Sequence, residues 1–193
     1  MAESEQIQVE TPASSGNRRQ RWDAVGVIIA SLVGLLALLV SGYTAYIQRQ
    51  QVRAEVWPYL YPAYQSPDKQ LTIFNKGMGP AIVRSARLTV DGSPQTDWKH
   101  TSRALGLPGP GLSSTLVGTV LSPGDALALQ QFPDETSYQQ FRRAMDTRGL
   151  LDICYCSTLN ECWLYEDRHT PTKPIVTSVA QCPAYPSGQT FLD

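Results

Sequence analysis

The sequence predicts one membrane-spanning helix followed by a mainly-β domain, an immunoglobulin-like β-sandwich of about seven or eight strands with one short helix. Three observations predict it. Val25 to Val40 is an apolar run without a charge; short alternating segments separated by turn residues follow Pro58; and four cysteines fall in the last 40 of the 193 residues. The chain accordingly divides into a polar tail over residues 1–21, a helix and stalk over 22–55 with its apolar part at 25–46, and a β domain over 56–193.

The apolar run extends through Tyr46, giving 22 residues. At 1.5 Å per residue that is roughly 33 Å, enough to cross a hydrocarbon core of about 30 Å. Trp22 stands at one end and Tyr43 and Tyr46 at the other, where amphipathic rings favour the headgroup level. A cleaved signal peptide would have a shorter apolar region ending in a small-x-small site, which Val40-Ser41-Gly42 matches poorly, so the expectation is a retained signal-anchor. Arg18, Arg19 and Arg21 precede the span and Arg49 and Arg53 follow it, which biases the N-terminus toward the cytoplasm. Gly26, Ala30, Gly34, Ala37, Ser41 and Ala45 form a stripe of small residues, a candidate surface for self-association of the helix in lipid.

The tail before the span is polar and lacks a periodic apolar face, so disorder is expected. Ile47 to Glu55 extends the helix as a stalk, which Pro58 and Pro62 end. Strands are expected at Gln70–Asn75, Ala81–Asp91, Thr115–Leu121, Ala126–Phe132, Leu150–Ser157, Glu161–Tyr165 and Pro174–Ala180. The alternation in the second of these slips near Val83–Ser85, a bulge signal. Asp91-Gly92 reads as a turn leading toward Gln95–Trp98, and Leu105–Ser113 as a Pro/Gly-rich loop. Only Glu135–Arg148 reads as a helix, with Tyr138, Phe141 and Met145 on the face toward the sheet. A small open barrel is the alternative architecture.

In the strand containing Cys154 and Cys156, Leu151, Ile153 and Tyr155 point the other way, toward the core. A hairpin loop over residues 157–161 would set Cys156 opposite Cys162, leaving Cys154 to bind Cys182 and strap the C-terminal segment over the cysteine face. Four cysteines allow three pairings, and a zinc site or free thiols are the competing readings. Disulfides require an oxidising compartment, which favours a domain outside the cytoplasm.

The formal net charge is −1, which offers no basic surface for nucleic acid. Arg142, Arg143 and Arg148 lie among Asp134, Glu135 and Asp146 and read as a solvated helix face. No phosphate loop, dinucleotide fingerprint or nucleophile elbow appears, so no catalytic residue, metal ligand or cofactor is expected. His100, and His169 beside Glu166 and Asp167, are the weak candidates for metal or acid–base work. Asn75-Lys76-Gly77-Met78-Gly79-Pro80 is the most conspicuous motif. It reads as a structural turn whose glycines supply positive φ, with anion binding by its N–H groups as the functional alternative.

Val56-Trp57-Pro58-Tyr59-Leu60, the Asn75-x-Gly77-x-Gly79-Pro80-Ala81 turn, Asp91-Gly92, and Cys154-Tyr155-Cys156-Ser157 with Cys162-Trp163 together resemble a group of uncharacterised bacterial proteins having one N-terminal membrane helix. The resemblance covers most of residues 50–165. It implies a membrane-anchored β domain in a bacterial envelope and brings no activity with it.

The expectation is therefore a non-catalytic, envelope-facing interaction module. It would be held in the inner membrane by residues 25–46 with its N-terminus cytoplasmic and its β domain periplasmic or extracellular, and it would bind an envelope protein. Leu105–Ser113 and the Gln95–Ser102 segment with Trp98 are the candidate contact regions. The alternatives are a metal-dependent or hydrolytic enzyme module, or a structural subunit assembled through its helix.

Overall fold

The computed structural model describes residues 16–109, 111–167 and 175–192, with side chains from residue 21 onward except Ile175. Most of the expected tail, Pro110 in the Pro/Gly-rich loop, and Arg168 and His169 lie outside the described residues. The chain divides into two units that part between Gln50 and Gln51.

The first unit holds most of helix α1, which begins at Gly16, ahead of Trp22, and ends at Glu55. It contains one stretch long and apolar enough to cross a membrane, and its large apolar side chains are exposed, as at Leu38 and Leu39. Ser31 and Thr44 each donate a hydroxyl hydrogen bond of 2.8 Å to the carbonyl four residues back, at Val27 and Val40. These hydroxyls are satisfied within the helix, as a lipid environment requires. A Cβ added at Gly26 or Gly34 would meet nothing within 4 Å, so the small-residue stripe is open at both glycines.

The second unit is mostly β. In chain order it contains β1 (Leu60–Gln65), β2 (Gln70–Asn75), β3 (Ala81–Val90), β4 (Ser93–Gln95), α2 (Trp98–Leu105), β5 (Leu112–Ser113), β6 (Val120–Leu121), β7 (Ala126–Gln131), α3 (Glu135–Arg148), β8 (Gly149–Cys156), β9 (Cys162–Glu166) and β10 (Ile175–Val179). Two antiparallel sheets form, one ordered β1-β2-β7-β5 and the other β10-β9-β8-β3-β4, with β6 also on β3. Leu60, Ile73 and Leu129 from the first sheet join Ala86, Leu88, Ile153 and Tyr155 from the second in one buried cluster. Burial of the Tyr155 phenol pushes its pKa up to about 12.

The β3–β8 pair is the long axis of the second sheet, and its register shifts between Val83 and Ser85, where the sequence alternation slips. Helix α3 starts at its N-cap Asp134, whose carboxylate accepts from the Ser137 N–H at 2.8 Å, and it buries Tyr138, Phe141 and Met145.

Two expectations need correction. Thr115–Leu121 is not one strand: Gly118 has φ +86° and the Thr119 N–H turns back to Leu116, so only Val120 and Leu121 join the sheet. Trp98 to Leu105, taken as a strand end and loop, is helix α2. Its N-cap Asp97 accepts from His100 N–H, and Gly106 at φ +73° closes it. Burial of Asp97 works against its charge, but the His100 N–H, the His100 ring and the Thr96 hydroxyl outweigh it and hold the carboxyl below its ordinary range.

The C-terminal segment returns across the second sheet. Phe191 N–H donates to Ala86 O and Leu192 N–H to Thr96 O, both at 3.0 Å, and the fully buried Phe191 ring lies edge-on to Trp98 with centroids 4.9 Å apart. Trp98 also touches Phe141, so one aromatic stack ties α2, α3 and the tail together.

Candidate functional site

The Asn75 motif lies where β2 ends and packs on the segment that leaves α1. Asn75 is fully buried and all of its amide is used. Its Oδ1 accepts from Tyr59 N–H at 3.2 Å and Gly77 N–H at 3.0 Å; its Nδ2 donates to Gly79 O at 2.7 Å and Leu121 O at 3.0 Å. The other N–H groups of the turn are also engaged: Lys76 donates to Tyr59 O, and Met78 and Gly79 both donate to Trp57 O. An anion would find no free backbone N–H in the turn, so the structural reading of Asn75, Gly77, Gly79 and Pro80 is the one the geometry supports.

The reason given for the glycines changes, however. Neither Gly77 nor Gly79 has positive φ. A Cβ on Gly77 would instead collide with the Trp57 and Tyr59 backbone, and one on Gly79 with Val56. The Val56–Leu60 and Asn75–Ala81 motifs are thus two halves of one clamp.

The loop after α2 shares one such close backbone approach but leaves a large side chain exposed. Gly111 passes so near the Gln131 carbonyl that it has no room for a Cβ, and Leu112 and Ser113 pair with Gln131 and Gln130 as the short outer strand β5. Leu112 is 75% exposed. Below it lies a cavity of about 480 Å³ lined by Lys69, Gly111, Leu112, Gln131, Phe132 and Pro133. A second cavity of about 320 Å³ shares Phe132 and Pro133 and extends to Ser102, Leu107, Pro108 and Phe141. Together they make a mainly apolar groove between the loop and the β7–α3 turn. Asp134 lies along it, its carboxyl held below its ordinary range by the Ser137 N–H and hydroxyl. Next to Gln131, Gln130 is fully buried, and neither its side-chain oxygen nor its nitrogen has a hydrogen-bond partner among the described residues.

No protein-family model, curated protein or solved structure matches this chain. The functional reading accordingly rests on the geometry of the chain itself.

Cys154, Cys156 and Cys162 lie on the other sheet and Cys182 just beyond β10. Cys156 lies opposite Cys162 in the β8–β9 register, and their sulfurs are 2.05 Å apart; Cys154 and Cys182 are joined at 2.04 Å. Leu151, Ile153 and Tyr155 are buried, as expected for the core side. The cysteine side is buried too, because the strap covers it: Arg87 bridges to Asp152 at 2.9 Å, and the Tyr185 ring lies 5.1 Å from the Arg87 guanidinium. Sulfurs bonded in pairs are poor zinc ligands, since the metal takes thiolates.

The remaining candidates are accounted for locally. Trp98 is a core residue and not a contact side chain; of the Gln95–Ser102 segment, Lys99 and His100 are exposed and Ser102 lines the second cavity. His100 serves the cap of α2 through Asp97. Glu166 ends β9, while His169 falls outside the described residues, so the metal reading of that cluster has no geometry to stand on.

Sequence reasoning missed Arg148, which is more than a solvated charge. Its guanidinium holds both oxygens of Asp91 and caps α2 through Ala104 O at 3.0 Å and Leu105 O at 3.3 Å. The Asp91-Gly92 turn and the last residue of α3 carried that signal, at 57 residues' separation.

Proposed function

We propose that the chain is a membrane-anchored, envelope-facing interaction module of bacterial type, with an immunoglobulin-like sandwich that engages an envelope protein through the groove under Leu112. The observation that carries the reading is that exposed leucine above an apolar hollow at the outer strand β5. An exposed apolar residue beside a concavity is how a surface offers an anchor pocket to a partner side chain. The Lys69 and Asp134 side chains at the two cavities supply polar contacts to orient an extended segment.

The anchor is α1, acting as a signal-anchor with its N-terminus in the cytoplasm of a cell with an inner membrane; its small-residue stripe supports self-association. The paired cysteines support an oxidising location for the β domain.

Thiol labelling of intact cells tests the location. A membrane-impermeant maleimide should label the domain only after reductant, and from outside the cytoplasm; labelling of unreduced cysteines from the cytoplasmic side overturns it. Photocross-linking tests the groove. A photoreactive residue at position 112 should join one defined envelope protein, and the same residue at Leu159, exposed elsewhere, should not. Equal products from both positions would remove the groove from the proposal.

A further inference from the structure

The two disulfides are in contact. Cys156 Sγ lies 3.7 Å from Cys182 Sγ, to which it is not bonded, and the sulfurs of Cys156, Cys162 and Cys182 all lie within 4.8 Å of one another. Cys154, Cys156 and Cys162 are buried, whereas Cys182 is half-buried and so is the sulfur an outside reagent meets.

The chain on both sides of Cys182 is held by contacts other than its disulfide. Three residues before it, Val179 pairs with Cys162 in the β9–β10 ladder. Beyond it, the Phe191 and Leu192 backbone bonds and the Phe191–Trp98 stack hold the tail. A thiolate so tethered beside a disulfide reacts at high effective concentration.

From this geometry we infer that the four cysteines form a single thiol–disulfide exchange site, whose substrate is an external dithiol and whose product is a chain re-paired through Cys156 and Cys182. One thiolate of the dithiol attacks Cys182 Sγ; the Cys154–Cys182 bond breaks and Cys154 leaves as a thiolate that takes up a proton. The second thiol then attacks its own partner sulfur, releasing oxidised dithiol and a Cys182 thiolate. That thiolate attacks Cys156 Sγ. A Cys156–Cys182 bond forms, the Cys156–Cys162 bond breaks, and the electron pair departs on Cys162, which is protonated. Two electrons and two protons pass from the dithiol to the chain, and the thiols finish at Cys154 and Cys162. With all three sulfurs within 4.8 Å of one another, Cys182 lies to the side of the Cys156–Cys162 bond. Once released from Cys154, the Cys182 side chain must therefore rotate into line with that bond to attack Cys156. The exchange is independent of the Leu112 groove.

Partial reduction of the full chain in detergent micelles with limiting dithiothreitol tests this. The reaction is quenched with a maleimide at mildly acidic pH and digested with chymotrypsin, which separates Cys154 from Cys156 at Tyr155. Peptides linked through Cys156 and Cys182, with maleimide on Cys154 and Cys162, are the expected product. One-disulfide protein carrying only the Cys154–Cys182 or Cys156–Cys162 link overturns the inference. The Cys154→Ser chain provides a second reading without reductant. Its single thiol should partition between Cys182 and Cys162; label confined to Cys182 contradicts the exchange.

Discussion

Two Gly/Pro-rich turns of the β domain look alike as text and are opposites as structure. Asn75–Ala81 is closed: its Asn amide and the N–H groups of Lys76, Gly77, Met78 and Gly79 all bond within the fold, and both glycines are pressed on the Val56–Tyr59 backbone. The described part of the loop beyond α2 is open: Leu112 projects into solvent and lines a hollow. Gly77, Gly79 and Gly111 are all pressed on the chain's own backbone, so a tight glycine by itself is no guide to function. What makes the first turn a clamp is that its amide is buried and its N–H groups are bonded within the fold.

The sharpest way to break the contrast is to remove the clamp. Asn75→Ala leaves two N–H groups and two carbonyls without partners, and should cost about 3–5 kcal/mol in denaturant unfolding of the full chain. Gly79→Ala should be comparably damaging, because the obstacle is Val56 backbone rather than a movable side chain. A near-neutral result for either would mean that the turn can open.

A smaller effect is expected beneath the open loop. Gln130→Leu replaces a buried amide that lacks partners among the described residues with an apolar side chain of similar size, and should raise the unfolding free energy by about 1 kcal/mol. Destabilisation would show that the amide is satisfied in solution.

The acid limb of stability falls on the turns and caps. Asp91 is held low by Arg148, Asp134 by the Ser137 N–H and hydroxyl, and Asp97 by its His100 and Thr96 contacts against the pull of burial. Carboxyls with depressed folded pKa values stabilise fully above the unfolded value of about 4 and lose that contribution as pH falls through the folded value. Thermal unfolding from pH 5 down to pH 2 should show the loss, and Asp91→Asn should shallow it.

The least effect on stability belongs to Leu112→Asp, within about 0.5 kcal/mol, because the residue is exposed. It should nevertheless abolish cross-linking from neighbouring positions in the groove. A large loss of stability would place Leu112 in the core.

Much of the domain was legible because local chemistry and tertiary packing agree there. Gln70–Asn75 is strand β2 over the residues expected, and Tyr138, Phe141 and Met145 are the buried side of α3. The Val83–Ser85 slip marks a register shift in the β3–β8 ladder.

What stayed hidden depended on distant partners. Asp97 and Gly106 are ordinary cap residues, yet α2 is short and polar except for Trp98, Ala104 and Leu105, so its stripe was too thin to read. Phe191 sits in a polar tail and is buried only because Trp98 and Phe141 form its stack. The groove was legible as a loop but not as a hollow, since Phe132 and Pro133 reach it from the other end of the β7–α3 turn.

Amide hydrogen exchange of the full chain in nanodiscs measures both turns in one experiment. The amides of Lys76, Gly77, Met78 and Gly79 should be protected nearly as strongly as those at the centre of β3 and β8, while those of Gly109 and Gly111 exchange quickly. Fast exchange at Gly77 and Met78, or protection of Gly109 and Gly111 matching the core, would contradict the division into a closed clamp and an open, partner-facing loop.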